Sequence, residues 1–263
     1  MSLKLLQITD THLFADPDSG RLKGVNPYES LESVLELASG EKDLDLAVLT
    51  GDLSQDETAE SYGHLGELMT RLPCPVFYIP GNHDDTGLMH EPLTRSGRVR
   101  QSRALTRGAW RLVFLDSRIE GRCEGALGDT ELEALSRELA ETDPPNIMIF
   151  LHHNPVNIRP ERHDPMMLQD ADRFFALLDT CKRVKAVVWG HVHEEFESSR
   201  KDVKLFASPS SCVQFRATST GLTIDERAPG YRVFELGDDG GIETVVRRLG
   251  APPPGLKLIE GDL

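Results

Sequence analysis

An α/β fold with strands buried on both faces is the architecture this sequence predicts, and three observations carry that prediction. Short apolar runs rich in β-branched and aromatic residues recur along the chain, at Leu3 to Thr9, Leu46 to Thr50, Val76 to Ile79, Ile147 to Leu151 and Val184 to Trp189. Runs of this length without polar alternation suit strands packed on both sides. Helical patterns lie between them, as in an α/β sheet. Shortly after each run stand polar residues able to do chemistry: Asp10 and His12, Asp52, Asn82, His152, and His191 with His193.

The elements follow in order. After the first run, Asn26 can cap a helix, Pro27 suits its first turn, Glu29 completes a capping box, and Leu31, Val34, Leu35 and Ala38 share one face. Tyr62, Leu65, Leu68, Met69 and Leu72 mark a second helix. A third follows Asp129 with Leu132, Leu135 and Leu139, and a fourth follows Asp170 with Phe174, Phe175 and Leu178. From about residue 195 the chain turns β-rich: Val203 to Ala207, Val213 to Phe215, Tyr231 to Leu236 and Ile242 to Val246 read as strands with no helices between. They are expected to form a second, mostly antiparallel sheet. No Gly/Ser-rich or charged linker divides residues 1–263, so a single domain is expected.

Composition excludes some partners. A formal net charge of -14 opposes nucleic acid, whose phosphates need clustered Lys and Arg, and disfavours a membrane surface. The first apolar run, interrupted by Lys4 and followed by Asp10, is too short for a signal peptide or a spanning helix, which points to the cytoplasm. Cys74, Cys123, Cys181 and Cys212 are dispersed, and reduced structural thiols are the expectation for such a chain. Nothing in the sequence speaks to oligomeric state.

The polar residues after the runs have the chemistry of a dinuclear metal centre. Carboxylate, imidazole and amide donors without thiolate suit manganese, iron or zinc. Ligands in an open α/β sheet gather beyond the carboxyl ends of the strands, so distance in sequence is no obstacle. Asp10 and His12 are two apart, as are His191 and His193, and in extended backbone each pair would face one way. Singly, each residue has a plain alternative: Asp10 or Asp52 could cap a turn, Asn82 could adopt a left-handed loop conformation, and a lone His is more often structural. As a set they differ, because six of the nine histidines, His12, His83, His152, His153, His191 and His193, lie near the ends of apolar runs. His64, His90 and His163 lie outside them, where exposure or a local hydrogen bond accounts for each.

The motifs Asp10-Thr11-His12, Gly51-Asp52, Gly81-Asn82-His83-Asp84, His152-His153 and Gly190-His191-Val192-His193 resemble, in order, those of the calcineurin-like metallophosphoesterases. Leu6 to Phe14, Gly24 to Asn26, Ser208 to Phe215 and Ala228 to Arg232 are similar to segments of the bacterial class III cyclic AMP phosphodiesterases, so the resemblance covers nearly the whole chain. It implies a four-layer α/β/β/α sandwich with two mixed β-sheets. It also implies two divalent or mixed-valence ions, iron or manganese with zinc as an alternative. One would be held by Asp10, His12, Asp52 and His193, and the other by Asp52, Asn82, His152 and His191.

By the same resemblance, a hydroxide bridging the metals would hydrolyse 3',5'-cyclic AMP to 5'-AMP. His12, Asn82, His83 and His193 would contact the substrate, and His83 would protonate the leaving oxygen. Asp84 either orients His83 or caps the following segment, with orientation preferred; His153 would support His152. Phe14, Phe215 and Tyr231 could stack on a base, although core packing is the expectation for each. The rival readings are hydrolysis of another phosphodiester or pyrophosphate, such as a lipid-linked nucleotide or a glycerophosphodiester, and a non-catalytic scaffold. The missing Asp-Arg-Gly after Gly51 argues against a protein phosphatase.

Overall fold

Alternation along the strands sorts the side chains into layers. A computed structural model describes residues 2–158, 164–217 and 222–258, so His163 lies outside the described residues. The chain begins β1 (Leu3–Ile8), α1 (Pro27–Ala38), β2 (Leu46–Thr50), α2 (Ala59–Leu68), β3 (Val76–Ile79), α3 (Thr86–Thr94) and β4 (Val99–Arg100). It continues β5 (Ala104–Arg107), β6 (Trp110–Phe114), α4 (Gly128–Ala140), β7 (Asn146–Phe150), α5 (Ala171–Leu178) and β8 (Val184–Trp189). The remaining strands are β9 (Phe196–Arg200), β10 (Val203–Ala207), β11 (Gln214–Ala217), β12 (Leu222–Asp225), β13 (Gly230–Leu236) and β14 (Ile242–Arg248).

Two six-stranded mixed sheets result, ordered β14-β13-β1-β2-β3-β4 and β5-β6-β7-β8-β10-β9. In β1 and β2, Leu5, Leu46 and Val48 meet Phe114, Phe150 and Val188 of the other sheet. Their neighbours Leu6, Ala47 and Leu49 face outward onto Leu31, Val34, Leu65 and Met89 of α1, α2 and α3. On the far side Ile147, Ile149 and Val187 pack against Leu132, Leu135 and Phe174 of α4 and α5. Helix, sheet, sheet, helix is thus the order of layers, and burial on both faces explains the unbroken apolar runs.

The helix starts obey their caps in one case and not in another. Asn26 Oδ1 accepts from the Tyr28 and Glu29 amides at 3.0 and 3.3 Å. Asp170 instead serves α4: its carboxylate accepts from the Leu127 and Gly128 amides at 3.0 and 2.9 Å, ahead of that helix.

The expected separate C-terminal sheet is corrected. Strands β13 and β14 extend the first sheet antiparallel to β1, while β10 joins the second sheet parallel to β8 and β9 joins antiparallel to β10. Apart from the buried Arg232, strand β13 is apolar toward both layers, with Tyr231 and Val233 against the helices and Phe234 and Leu236 between the sheets. That pattern requires cover on both faces without saying which sheet supplies it. The sequence reading also missed α3, β4, β5, β6, β9 and β12. Helix α3 contains Pro92 and buries only Met89, Pro92 and Leu93, and β5 is largely exposed, so the periodic signal there is weak. Among the described residues no helix is long and apolar enough to cross a membrane.

Candidate metal centre

The candidate ligands stand where the chain leaves the sheets, and the backbone there is bent. Asp10, His12, Asp52, His191 and His193 have φ of 53, 48, 52, 67 and 50°. The expected extended pairs are therefore corrected: left-handed turns aim these side chains. Side chains other than glycine pay of order 1–2 kcal/mol for such a conformation, with Asn, Asp and His among the more tolerant. Their clustering marks this end of the sheets as a strained, over-determined site.

The turns are held by backbone pairing, with Asp10 N donating to Gly51 O and His12 N to Asp52 O, each at 3.0 Å. Ser210 Oγ donates to Asp10 O at 2.8 Å and Ser211 N to Thr9 O at 3.0 Å, so the Ser208 to Phe215 segment braces the first motif. At Gly81 a Cβ would overlap Asp52 and come within 2.8 Å of His152 Cε1. Only glycine lets the two loops close on each other there.

Two groups of donor atoms result. Asp10, His12, Asp52 and His193 each offer a ligand atom within 4.8 Å of the others. His12 Nε2 lies 3.1 Å from His193 Nε2 and 3.7 Å from Asp52 Oδ2, and His193 Nε2 lies 3.4 Å from Asp10 Oδ1. In the second group His152 Nε2 is 3.2 Å from both Asp52 Oδ1 and Asn82 Oδ1, and Asn82 Oδ1 is 3.0 Å from His191 Nδ1. Donors sharing one ion at 2.0–2.2 Å must stand about 3.0–3.4 Å apart, which most of these separations meet. Asp52 contributes one carboxylate oxygen to each group.

The proton inventory also fits cations. His193 Nδ1 donates to Val213 O at 2.8 Å and His152 Nδ1 to Thr50 O at 2.7 Å, so in the neutral rings both Nε2 atoms present lone pairs to carboxylates. Asp10 Oδ2, His12 Nδ1 and His191 Nε2 are buried without a hydrogen-bond partner. Burial pushes His12 down to about 3 and His191 down to about 4, with neighbouring imidazoles adding to the effect, so both rings stay neutral and able to ligate. Burial opposes the charge on Asp10 and Asp52, yet facing imidazoles outweigh it and hold both carboxyls below their usual range.

His152 behaves in the opposite sense. Burial works against its charge, but the adjacent Asp52 carboxylate raises the metal-free imidazole to about 9. Below that pH a metal must displace a proton, so apparent affinity is expected to climb about tenfold per pH unit until the proton is gone. Metal-binding titrations at a series of pH values check this; an affinity flat between neutrality and about 9 would contradict it.

Asn82 yields a second expectation. With its amide oxygen between His152 and His191, Asn82→Ala should weaken metal binding in the second group by roughly 10–100-fold and leave the fold intact. Activity at limiting metal should fall and recover with excess metal, whereas activity unchanged at limiting metal would remove Asn82 from the ligands.

The role preferred for Asp84 is corrected. Its buried carboxylate accepts from the amides of Gly81 at 2.7 Å, Leu53 at 3.0 Å and Ser54 at 3.1 Å, stitching together the loops that carry Asp52, Asn82 and His83. Burial and the Asp52 charge push its pKa up to about 7 against the pull of those amides. None of these bonds reaches the His83 ring, whose Nδ1 lies 3.4 Å from Gln55 Nε2. His153 also offers a ring nitrogen within 4.8 Å of ring nitrogens of His152 and His191, and its Nδ1 lies 2.8 Å from Ser117 Oγ.

Above the donors opens a cavity of about 270 Å³ lined by His12, Asn82, His83 and His193, and by Leu22, Lys23, Gln55, Cys123, Asp164, Met166, Val192, Phe215 and Leu222. A larger cavity of about 430 Å³ between Tyr78, His90, Arg103 and Phe114 holds none of the candidate ligands. Core packing holds for Tyr231, buried with its hydroxyl on Glu41, and Phe14 lies over Gly20. Phe215 departs from it: the ring is half-buried at the cavity wall, 4.6 Å from the His193 ring. Leu22, Leu222 and Gln55 carry no motif spacing, so reading the sequence missed them as lining residues.

Comparison with known proteins agrees with this geometry. The calcineurin-like phosphoesterase family matches residues 3–195. The 3',5'-cyclic adenosine monophosphate phosphodiesterase CpdA of Pseudomonas aeruginosa is 38% identical over 251 residues, covering 94% of this chain and 90% of that protein. The Escherichia coli K12 protein of the same name is 36% identical over 248 residues, with the same shares covered. Among solved structures, a dimetal phosphatase from Danio rerio superposes with a TM-score of 0.59 at 14% identity, covering 94% of this chain and 98% of that one, a likeness of fold alone.

Proposed function

The chain belongs to the calcineurin-like phosphoesterase family, and from that premise we propose that it hydrolyses 3',5'-cyclic AMP to 5'-AMP. The observation that carries the reading is Asp52, whose two oxygens reach donors in both groups. Asp10, His12, Asp52 and His193 would hold one ion and Asp52, Asn82, His152 and His191 the other, with iron or manganese preferred over zinc. When bound, two such ions supply Lewis acidity toward a phosphoryl oxygen and the field that deprotonates a nucleophilic water.

This chain's residues do the rest. Asn82 lines the cavity, where its amino group could donate to a phosphoryl oxygen while its carbonyl would ligate. His12 and His193 line the same cavity and would lie against the phosphate. His83 lines the cavity, and its backbone amide is tied to Asp52 Oδ1 at 2.9 Å. Its imidazole can give a proton to the departing 3'-oxygen and meet transition-state charge. The apolar wall of Leu22, Val192 and Phe215 suits a nucleobase. The similarity to CpdA proteins over 94% of the chain supports the cyclic nucleotide as substrate, and a cytoplasmic location as one domain fits it.

Turnover of cyclic AMP, cyclic GMP, bis(4-nitrophenyl) phosphate and a lipid-linked nucleotide tests the reading. Cyclic AMP should have the highest kcat/KM, and preference for the lipid-linked nucleotide would replace it with the rival phosphodiesterase.

A further inference from the structure

We propose that the C-terminal segment Pro253 to Lys257 is a latch that sets the nucleoside-facing wall of the cavity above the metal centre. This inference rests on the substrate reading above. The wall begins in a tight turn: Leu22 and Val25 exchange both backbone hydrogen bonds, at 2.9 and 3.0 Å, across Lys23 and Gly24. Both turn residues are left-handed, with φ of 51 and 88°, the signature of a type I' turn. Glycine meets that conformation without strain, whereas lysine does not, so something outside the turn must hold Lys23 there.

The segment near the C-terminus is in place to hold it. Lys257 N donates to Lys23 O at 2.9 Å. Gly24 and Gly255 meet backbone to backbone: a Cβ on Gly255, whose φ is 80°, would lie 2.5 Å from Gly24 O, and a Cβ on Gly24 would overlap Gly255 O. Pro253 is buried, and Leu256 packs into a small apolar cluster with Leu22, Val25, Cys212, Val213 and Phe215.

That cluster reaches the metal centre. Val213 carries the carbonyl that fixes the His193 tautomer, and Phe215 lies against the His193 ring. Leu22, Lys23 and Phe215 also line the cavity. The latch therefore positions the part of the wall that a nucleoside or aryl group would touch. The metal donors have their own backbone ties in the strand-end turns, so loss of the latch should harm binding of the large substituent and spare the chemistry at phosphorus.

Gly255→Ala and Leu256→Ala test this in the full chain, with kcat and KM measured for cyclic AMP, bis(4-nitrophenyl) phosphate and methyl 4-nitrophenyl phosphate. KM for the two bulky diesters should rise roughly 10-fold, the scale of a lost apolar contact surface. Their kcat, both constants for the methyl ester and the metal content should stay at wild-type values. Unchanged KM for both bulky diesters, or equal losses on all three substrates, would overturn the latch. If the wild type turns over the aryl diesters and not cyclic AMP, the substrate reading has failed. The two aryl diesters then still decide the latch, because they differ only in the group that meets the wall.

Discussion

Asp52→Asn is expected to cost roughly 10³-fold or more in turnover of any diester, the upper scale for losing an electrostatic group that acts in the transition state. The reason is geometric. Asp52 Oδ2 lies 3.7 Å from His12 Nε2 while Oδ1 lies 3.2 Å from His152 Nε2, so one carboxylate joins both donor groups. An amide keeps the volume and can still accept from the His83 backbone amide. It cannot present two anionic oxygens. Elemental analysis should find fewer than two ions per chain in the variant against two in the wild type, with the folded circular-dichroism spectrum retained. Two tightly held ions and near wild-type rates would remove Asp52 from the centre.

His83→Ala separates acid catalysis from metal binding. The ring lines the cavity 5.2 Å from the His12 ring, and among the described residues His83 belongs to neither close-packed group of donor atoms. Both metals should therefore remain, while turnover of cyclic AMP falls roughly 10²-fold or more, the usual contribution of a positioned general acid. Bis(4-nitrophenyl) phosphate has a leaving group that needs little protonation, so its loss should be smaller. Equal losses with intact metals would make His83 a stabiliser of phosphate charge instead. Wild-type rates on both would exclude any role in catalysis.

How much of this was legible before the structure depended on the kind of signal. Residues whose function demands a particular donor at a strand end, such as Asp10, Asp52 and His191, were visible because strand and donor sit side by side in sequence. Their conformation was not. A spacing of two suggested extended pairs, whereas Asp10, His12, His191 and His193 are left-handed, strain that local propensity does not foretell. Asp84 shows a different limit: an acid next to a candidate catalytic histidine reads as its partner, yet its carboxylate is spent on backbone amides of two loops.

By itself the sequence determined that the strands are covered on both faces, which of them carry ligands and the chemistry of the donors, because burial on both faces and donor type are properties of each segment taken alone. Only the tertiary structure decided which sheet each C-terminal strand joins, that Val213 and Thr50 carbonyls set the histidine tautomers, and that Phe215, Leu22 and Leu256 pack into one apolar cluster. Those are relations between segments as much as 234 residues apart in the case of Leu22 and Leu256 (256 − 22), and they arise from the closing of one packed layer on another. A periodic pattern records that a face must be covered. What covers it is settled when the layers pack.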